Sequence, residues 1–136
     1  MRLPALASAG VVAMAVACST LPTATRTGAV KEIVIGDHLM PAELVVKAGD
    51  EVRWINKRIA PVRVVFLDGV SNRLACNNGF GGVTVKSGAA SLDPNETASI
   101  CFKNGGYYRY TIRMESASTK DELNAPGAVR VGDADV

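Results

Sequence analysis

The sequence predicts an all-β sandwich of about seven short strands, and three observations support this. Apolar and polar residues alternate with a period of two over short segments, and Gly, Pro, Asn and Asp separate those segments. Between positions 31 and 114, no segment keeps a helical period over three turns. The chain has 136 residues, 48% of them apolar, which is enough for one domain with a buried core.

The predicted strands are rich in β-branched and aromatic residues. In chain order they cover positions 32–35, 44–47, 52–56, 63–66, 97–102, 107–113 and 128–131. Only positions 118–123 carry a helix signal, because Ser118 or Thr119 could cap a helical turn ahead of Asp121 and Glu122. We therefore expect at most one helical turn in the domain.

The first 17 residues have the features of an export signal. Arg2 precedes an uncharged apolar run that is too short to cross a bilayer as a stop-transfer helix. This run ends in AVAC at positions 15–18, which resembles the lipobox of bacterial lipoprotein signal peptides. The resemblance implies that residues 1–17 are removed and that Cys18 is lipidated. An ordinary secretory peptide cleaved nearby is the alternative.

The lipobox resemblance also implies a location in the bacterial cell envelope, with the membrane as a partner through the N-terminal lipid. Ser19 after the cysteine resembles the class sorted to the outer membrane, facing the periplasm or the cell surface. Residues 18–30 are small, polar and interrupted by Pro22, which is typical of a flexible tether. The folded domain is accordingly expected to cover residues 31–136.

The chain has 3 cysteines, and lipidation of Cys18 would leave Cys76 and Cys101 as an even pair. In an oxidising compartment we expect these two to form a disulfide. On the chain-entropy model, closing a loop of this length stabilises the fold by about 3–4 kcal/mol. Two free thiols or a shared metal are the alternatives.

Four segments together resemble the cupredoxin family, and its plastocyanin-like members in particular. They read MPAELVVKAGDEVRWIN at positions 40–56, PVRVVF at 61–66, LDPNET at 92–97 and GGYYRY at 105–110. The resemblance covers residues 32–131 and implies a Greek-key β-sandwich.

Cupredoxins with a blue, type 1 centre hold copper with two His, one Cys and a weak axial Met. By resemblance, the first His position corresponds to Val62, the Cys position to Ile112 and the second His position to Glu115. The axial Met has no assignable counterpart. Because a thiolate is required for a blue site and Ile112 has none, we expect neither type 1 copper nor another cofactor.

An atypical copper site is the alternative cofactor hypothesis. His38 and Met40 are two positions apart, so both would face the same side of an extended chain, and Met114 could join them. An imidazole and two thioethers are suitable copper ligands. The structural interpretation is instead that His38 lies in an exposed turn and that Met40 occupies a core position.

Positive charge is concentrated between positions 53 and 73, where five basic residues accompany one acidic residue. Lys57 and Arg58 fall in a loop at one end of the sandwich, with Arg63 just beyond it. A cationic end could dock an acidic envelope protein or lipid headgroups, and a solvated face without a partner is the alternative. Phe80, in a Gly-rich segment, is either a second partner-binding residue or a side chain tucked under the loop.

The sequence gives no support for catalysis or nucleic-acid binding. The net charge is only +2, and the single His has no nucleophile and carboxylate at a spacing that suggests a triad. We therefore predict a non-enzymatic, lipid-anchored, cupredoxin-like binding or accessory module of the cell envelope. A copper-binding or electron-transfer protein and a structural envelope lipoprotein are the alternatives.

Overall fold

The computed structural model describes residues 26–70, 73–81, 88–115 and 122–132. Within these ranges the chain forms ten β-strands. They are Val30–Ile35 (β1), Leu39–Met40 (β2), Glu43–Lys47 (β3), Glu51–Asn56 (β4), Val62–Phe66 (β5), Leu74–Asn78 (β6), Ala89–Leu92 (β7), Thr97–Phe102 (β8), Gly106–Glu115 (β9) and Glu122–Gly132 (β10).

The strands form two five-stranded sheets, which confirms the all-β sandwich. One sheet has the order β2-β1-β4-β8-β6 and the other β3-β10-β9-β5-β7. Strands β1 and β4 run parallel, as do β3 and β10, whereas the other neighbours are antiparallel.

All seven predicted strands are present, and three further strands were not predicted. Strands β2, β6 and β7 are two, five and four residues long, and each includes residues without a strong strand preference. The predicted helical turn is wrong at Glu122 and Leu123, which belong to β10 and pair with β9. Pairing there satisfies the backbone amides within a sheet. Positions 118–121 lie outside the described residues.

Period-two alternation decides which side chains form the core. In β4, Val52, Trp54 and Asn56 are buried and the residues between them are partly exposed. The same pattern buries alternate residues of β5 and β9. The core is built around one cluster of aromatic rings packed mostly edge to face: Trp54, Phe66, Phe80, Phe102 and Tyr110.

Hydrogen bonds attach the chain N-terminal to Lys31 to the domain. The backbone amide of Thr27 donates to the Gly49 carbonyl at 3.1 Å, and the Thr27 hydroxyl donates to the Asp50 carboxylate. Asp50 also accepts from the Lys47 amide at 3.0 Å, which closes the turn between β3 and β4. Gly49 occupies this turn with a φ of 92°, a conformation that favours glycine. The part of the expected tether from Thr27 onward therefore lies against the sandwich.

Candidate functional site

The loop after β4 closes one end of the sandwich, and Asn56 holds it in place. The Asn56 side chain is fully buried, and its Nδ2 donates to the carbonyls of Ala60 at 2.9 Å and Leu92 at 3.0 Å. Its Oδ1 accepts from the Arg58 amide at 2.9 Å. One amide side chain thus joins β4, the loop and the end of β7.

Hydrocarbon side chains occupy two of the positions where copper ligands are expected by resemblance. Val62 is 3% exposed and Ile112 is fully buried, and both belong to the core cluster. They lie on neighbouring strands, where Val62 pairs with Met114 and Ile112 pairs with Val64. Neither side chain has a lone pair to donate to a metal. The third position, Glu115, ends β9, and its side chain lies outside the described residues.

The structure brings together two of the three residues of the alternative copper site. His38 and Met114 line a cavity of about 130 Å³ next to Ile112. Met40 is 66% exposed and does not line this cavity. The structure also corrects the structural interpretation of Met40, because the residue is on the surface and not in the core. Its neighbour Leu39 is the one that packs against the core, since the β2 side chains alternate in direction.

The donors around this cavity are few. His38 is exposed, and its turn is closed by the Gly36 amide donating to the His38 carbonyl at 3.3 Å. Within the described ranges, no three His, Cys, Asp or Glu side chains are grouped so as to hold a metal ion. The cavity thus offers one imidazole and one thioether, together with the exposed carboxylate of Asp37.

The predicted cationic residues separate into two surfaces. Lys57 is exposed at the end of the sandwich, beside Ile59, which is 92% exposed. Arg58 is partly buried, and its guanidinium donates to the Gly36 carbonyl at 3.2 Å, which links the loop to the end of β1. Arg63 lies instead in β5, on the solvent-facing side of its sheet. Within the described ranges, the Arg58 side chain therefore makes a hydrogen bond to the fold, whereas the Lys57 and Arg63 side chains make none.

Of the two interpretations of Phe80, the tucked side chain agrees with the structure and the exposed partner-binding residue is wrong. Phe80 is 6% exposed, and its ring packs against Trp54 at 5.4 Å and Phe66 at 5.7 Å between centroids. The cause is a local turn. Asn77 Nδ2 donates to the Phe80 carbonyl at 2.9 Å, and the Phe80 amide donates to Asn77 Oδ1 at 3.1 Å. These bonds direct the ring into the core.

The predicted disulfide between Cys76 and Cys101 is confirmed. The two cysteines are directly paired across β6 and β8, with their Cα atoms 4.8 Å apart. The bond fastens the edge strand β6 to the sheet. Cys18, the predicted lipidation site, lies outside the described residues. The described part of the chain contains no helix long and apolar enough to cross a bilayer.

A second cavity, of about 450 Å³, was not found by sequence reasoning. It opens on the outer side of the sheet that contains β5 and β9, and Arg63, Ser91 and Arg113 line it. Arg63 and Arg113 alternate with buried residues in strands that were predicted, whereas Ser91 lies in β7, which was not predicted. Their proximity depends on strand register, which the sequence does not show.

Comparison with protein-family models and with curated proteins finds no match. Solved structures do match. A mutant of amicyanin in the Cu(I) form shares 24% sequence identity at a TM-score of 0.54, with 80% of this chain and 87% of that chain covered. The oxidised state of another amicyanin mutant shares 23% identity at a TM-score of 0.53, with coverages of 77% and 83%.

The chain has a cupredoxin-like fold. At these identities the likeness establishes the cupredoxin-like architecture and no more. Whether the chain can hold copper therefore depends on its own residues.

Proposed function

We propose that the protein is a lipid-anchored binding or accessory module of the bacterial cell envelope, built on a cupredoxin-like fold without a type 1 copper site. The observation that carries this proposal is the burial of Val62 and Ile112 within the core. A type 1 site needs a thiolate and two imidazoles. The sequence has 3 cysteines and 1 histidine. Cys76 and Cys101 are joined in the disulfide, which supports the proposal because neither is then a free thiolate for copper.

The test is titration of the mature chain with Cu(II) and with Cu(I), using amicyanin as the positive control. We expect no intense blue absorbance at any ratio of Cu(II) to protein. An intense blue band that saturates at one copper per chain would contradict the proposal, because only a copper–thiolate bond produces it.

Binding at the envelope is proposed to involve the exposed Lys57 rather than Arg58, whose guanidinium is committed to the Gly36 carbonyl. A cationic side chain beside the exposed Ile59 suits an acidic protein surface with an apolar contact. We expect Lys57→Glu to reduce recovery of an envelope partner in a pull-down while leaving the melting temperature unchanged. Arg109→Glu is a control on another surface. If both variants recover as much partner as the parent does, the alternative of a structural lipoprotein is favoured.

Anchoring is tested separately through Cys18. Cells fed a labelled fatty acid should incorporate the label into the parent protein. Cys18→Ser should abolish labelling and release the protein from the membrane fraction. Labelling that survives this substitution would contradict lipidation at Cys18.

A second candidate function, copper binding at an atypical site, is favoured by one observation: His38 and Met114 line the same cavity. Soft thioether and imidazole ligands would suit Cu(I). A Cu(I) competition titration distinguishes the two functions. If this candidate is right, His38→Ala and Met114→Leu each weaken a one-to-one site, whereas Met40→Leu, remote from the cavity, has no effect. If all three variants match the parent, the candidate is wrong.

A further inference from the structure

A row of polar side chains crosses the outer face of the sheet that contains β5 and β9. Strand register places Ser91 next to Arg63, Arg63 next to Arg113, and Arg113 next to Asn124. All four residues are exposed, whereas their chain neighbours Val62 and Leu92 are buried in the core. Side chains directly opposite each other on neighbouring strands have Cβ atoms about 5 Å apart. The two guanidinium groups therefore rise from adjacent points of one surface.

Two like charges directly opposite on neighbouring strands destabilise a sheet unless an anion lies between them. The other arginines of this face have acidic partners: Arg109 is 3.4 Å from Asp68, and Arg130 is 3.1 Å from Glu43. The acidic contact of Arg113 among the described side chains is long, 3.7 Å from its Nε to the exposed Glu122 carboxylate. Among the described residues, Arg63 has no acidic partner. Among the residues whose side chains the structure describes, Glu122 is thus the one acidic group that contacts this pair, and it does so at long range.

The cavity beside this pair has the composition of a ligand site. Its volume is about 450 Å³, and Ser91 adds a hydroxyl to the two guanidinium groups. Pro61 and Met114 supply an apolar wall next to them. Arginine presents planar donors that match the paired oxygens of a carboxylate or a phosphoryl group. An apolar wall beside such donors suits a ligand with an organic body as well as an anionic head.

We propose that Arg63, Arg113 and Ser91 form a binding site for a small organic oxyanion. A carboxylate or phosphoryl head lies between the two guanidinium groups and accepts from the Ser91 hydroxyl, and a short apolar body lies against Pro61 and Met114. Glu122 competes with the ligand for Arg113. The site shares Met114 with the cavity lined by His38, but Arg63, Arg113 and Ser91 do not line that cavity. The proposal does not depend on Lys57, on lipidation or on the absence of copper.

The experiment follows backbone amide shifts of the mature chain during titration with hexanoate, butyl phosphate and inorganic phosphate. We expect saturable shifts centred on positions 63, 91 and 113 with at least one organic anion. Preference for hexanoate or for butyl phosphate identifies the head as a carboxylate or a phosphoryl group. Shifts centred on the His38 cavity, or no saturable shift with either organic anion, would overturn the proposal. Equal affinity for inorganic phosphate and butyl phosphate would overturn the role of the apolar wall.

Variants test the assignment of residues. Arg63→Gln and Arg113→Gln should each weaken binding about tenfold, because each removes charge-assisted hydrogen bonds. Arg109→Gln, on the same face but paired with Asp68, is the matched control and should bind like the parent. Glu122→Gln should strengthen binding by up to about fivefold, since it removes a competing surface ion pair. Unchanged affinity in both Arg63→Gln and Arg113→Gln would refute the site.

Discussion

Replacing Asn56 by alanine is expected to destabilise the domain by about 3–7 kcal/mol. The substitution removes three hydrogen bonds of 2.9–3.0 Å, each with a net contribution of about 0.5–1.5 kcal/mol. It also leaves the carbonyl of the buried Leu92 without this donor, at a further cost of about 1–3 kcal/mol. Because domains of this size unfold with about 5–15 kcal/mol, this is a large fraction of the total.

The assay is urea unfolding under non-reducing conditions, followed by tryptophan fluorescence. The chain has one tryptophan, Trp54, which is fully buried, so its emission reports loss of the core. We expect a lower midpoint with an unchanged slope, and a melting temperature lower by roughly 15 °C. Asn124→Ala, on the outer face of β10, is the control and should change stability by less than about 0.5 kcal/mol.

A further variant separates the two halves of the Asn56 amide. Asn56→Asp keeps the acceptor for the Arg58 amide but replaces the two donors with a carboxylate facing the carbonyls of Ala60 and Leu92. At neutral pH it should be at least as unstable as Asn56→Ala, because a buried charge without a donor is costly. A loss of less than about 1 kcal/mol in both variants would refute the role given to Asn56.

Three other expectations concern the core and the disulfide. Cys76→Ala together with Cys101→Ala should lower the free energy of unfolding by about 3–4 kcal/mol, because the 25-residue separation sets the loop entropy; a change below about 1 kcal/mol in urea unfolding would contradict this. Gly127→Ala should destabilise the fold by about 1–3 kcal/mol, because its Cβ would overlap the fully buried Tyr110 ring, whereas Gly81→Ala has open space for a Cβ and serves as the control. Burial raises the pKa of Tyr110 to about 12 from an ordinary value of 10.0, so the folded state retains this proton more strongly than the unfolded chain does. The stabilisation from this group is fully present below pH 10, and on the order of 2 kcal/mol of it is lost as the pH rises to about 12. The free energy of unfolding of Tyr110→Phe should therefore decline less between pH 10 and about 12 than that of the parent.

Features that depend on a local pattern of residue types could be predicted from the sequence. The predicted strands over 52–56 and 107–113 are present, and alternate residues in them, including Trp54 and Tyr110, are buried because side chains along a strand point to opposite sides. The sequence left the direction of Phe80 open, because that direction is set by a turn centred on the Asn77 side chain. A glycine-rich segment carries no period that could indicate whether its aromatic ring faces the core or the solvent.

The candidate sites show the same division. The hydrocarbon character of Val62 and Ile112 is visible in the sequence, and the structure adds that both are in the core. His38 and Met114 line the same cavity, and Met40 does not. This arrangement depends on how β2 lies beside the end of β9, which alternation alone does not specify. Spacing along the chain suggested that His38 and Met40 share a metal site, because spacing reports only which residues are close in sequence.

The sequence by itself determined the all-β class, the approximate positions of seven strands and the residue types available for chemistry, because these depend on local preference and period. It did not show the first half of β10, where a helical turn was predicted. Only the tertiary structure decided that Arg63 and Arg113, fifty positions apart, are neighbours. That contact depends on the register of two strands, and register is fixed by how whole sheets bury their inner faces. The pairing of Cys76 with Cys101 could be predicted because a single pair remained, whereas arginines are numerous and many pairings were open.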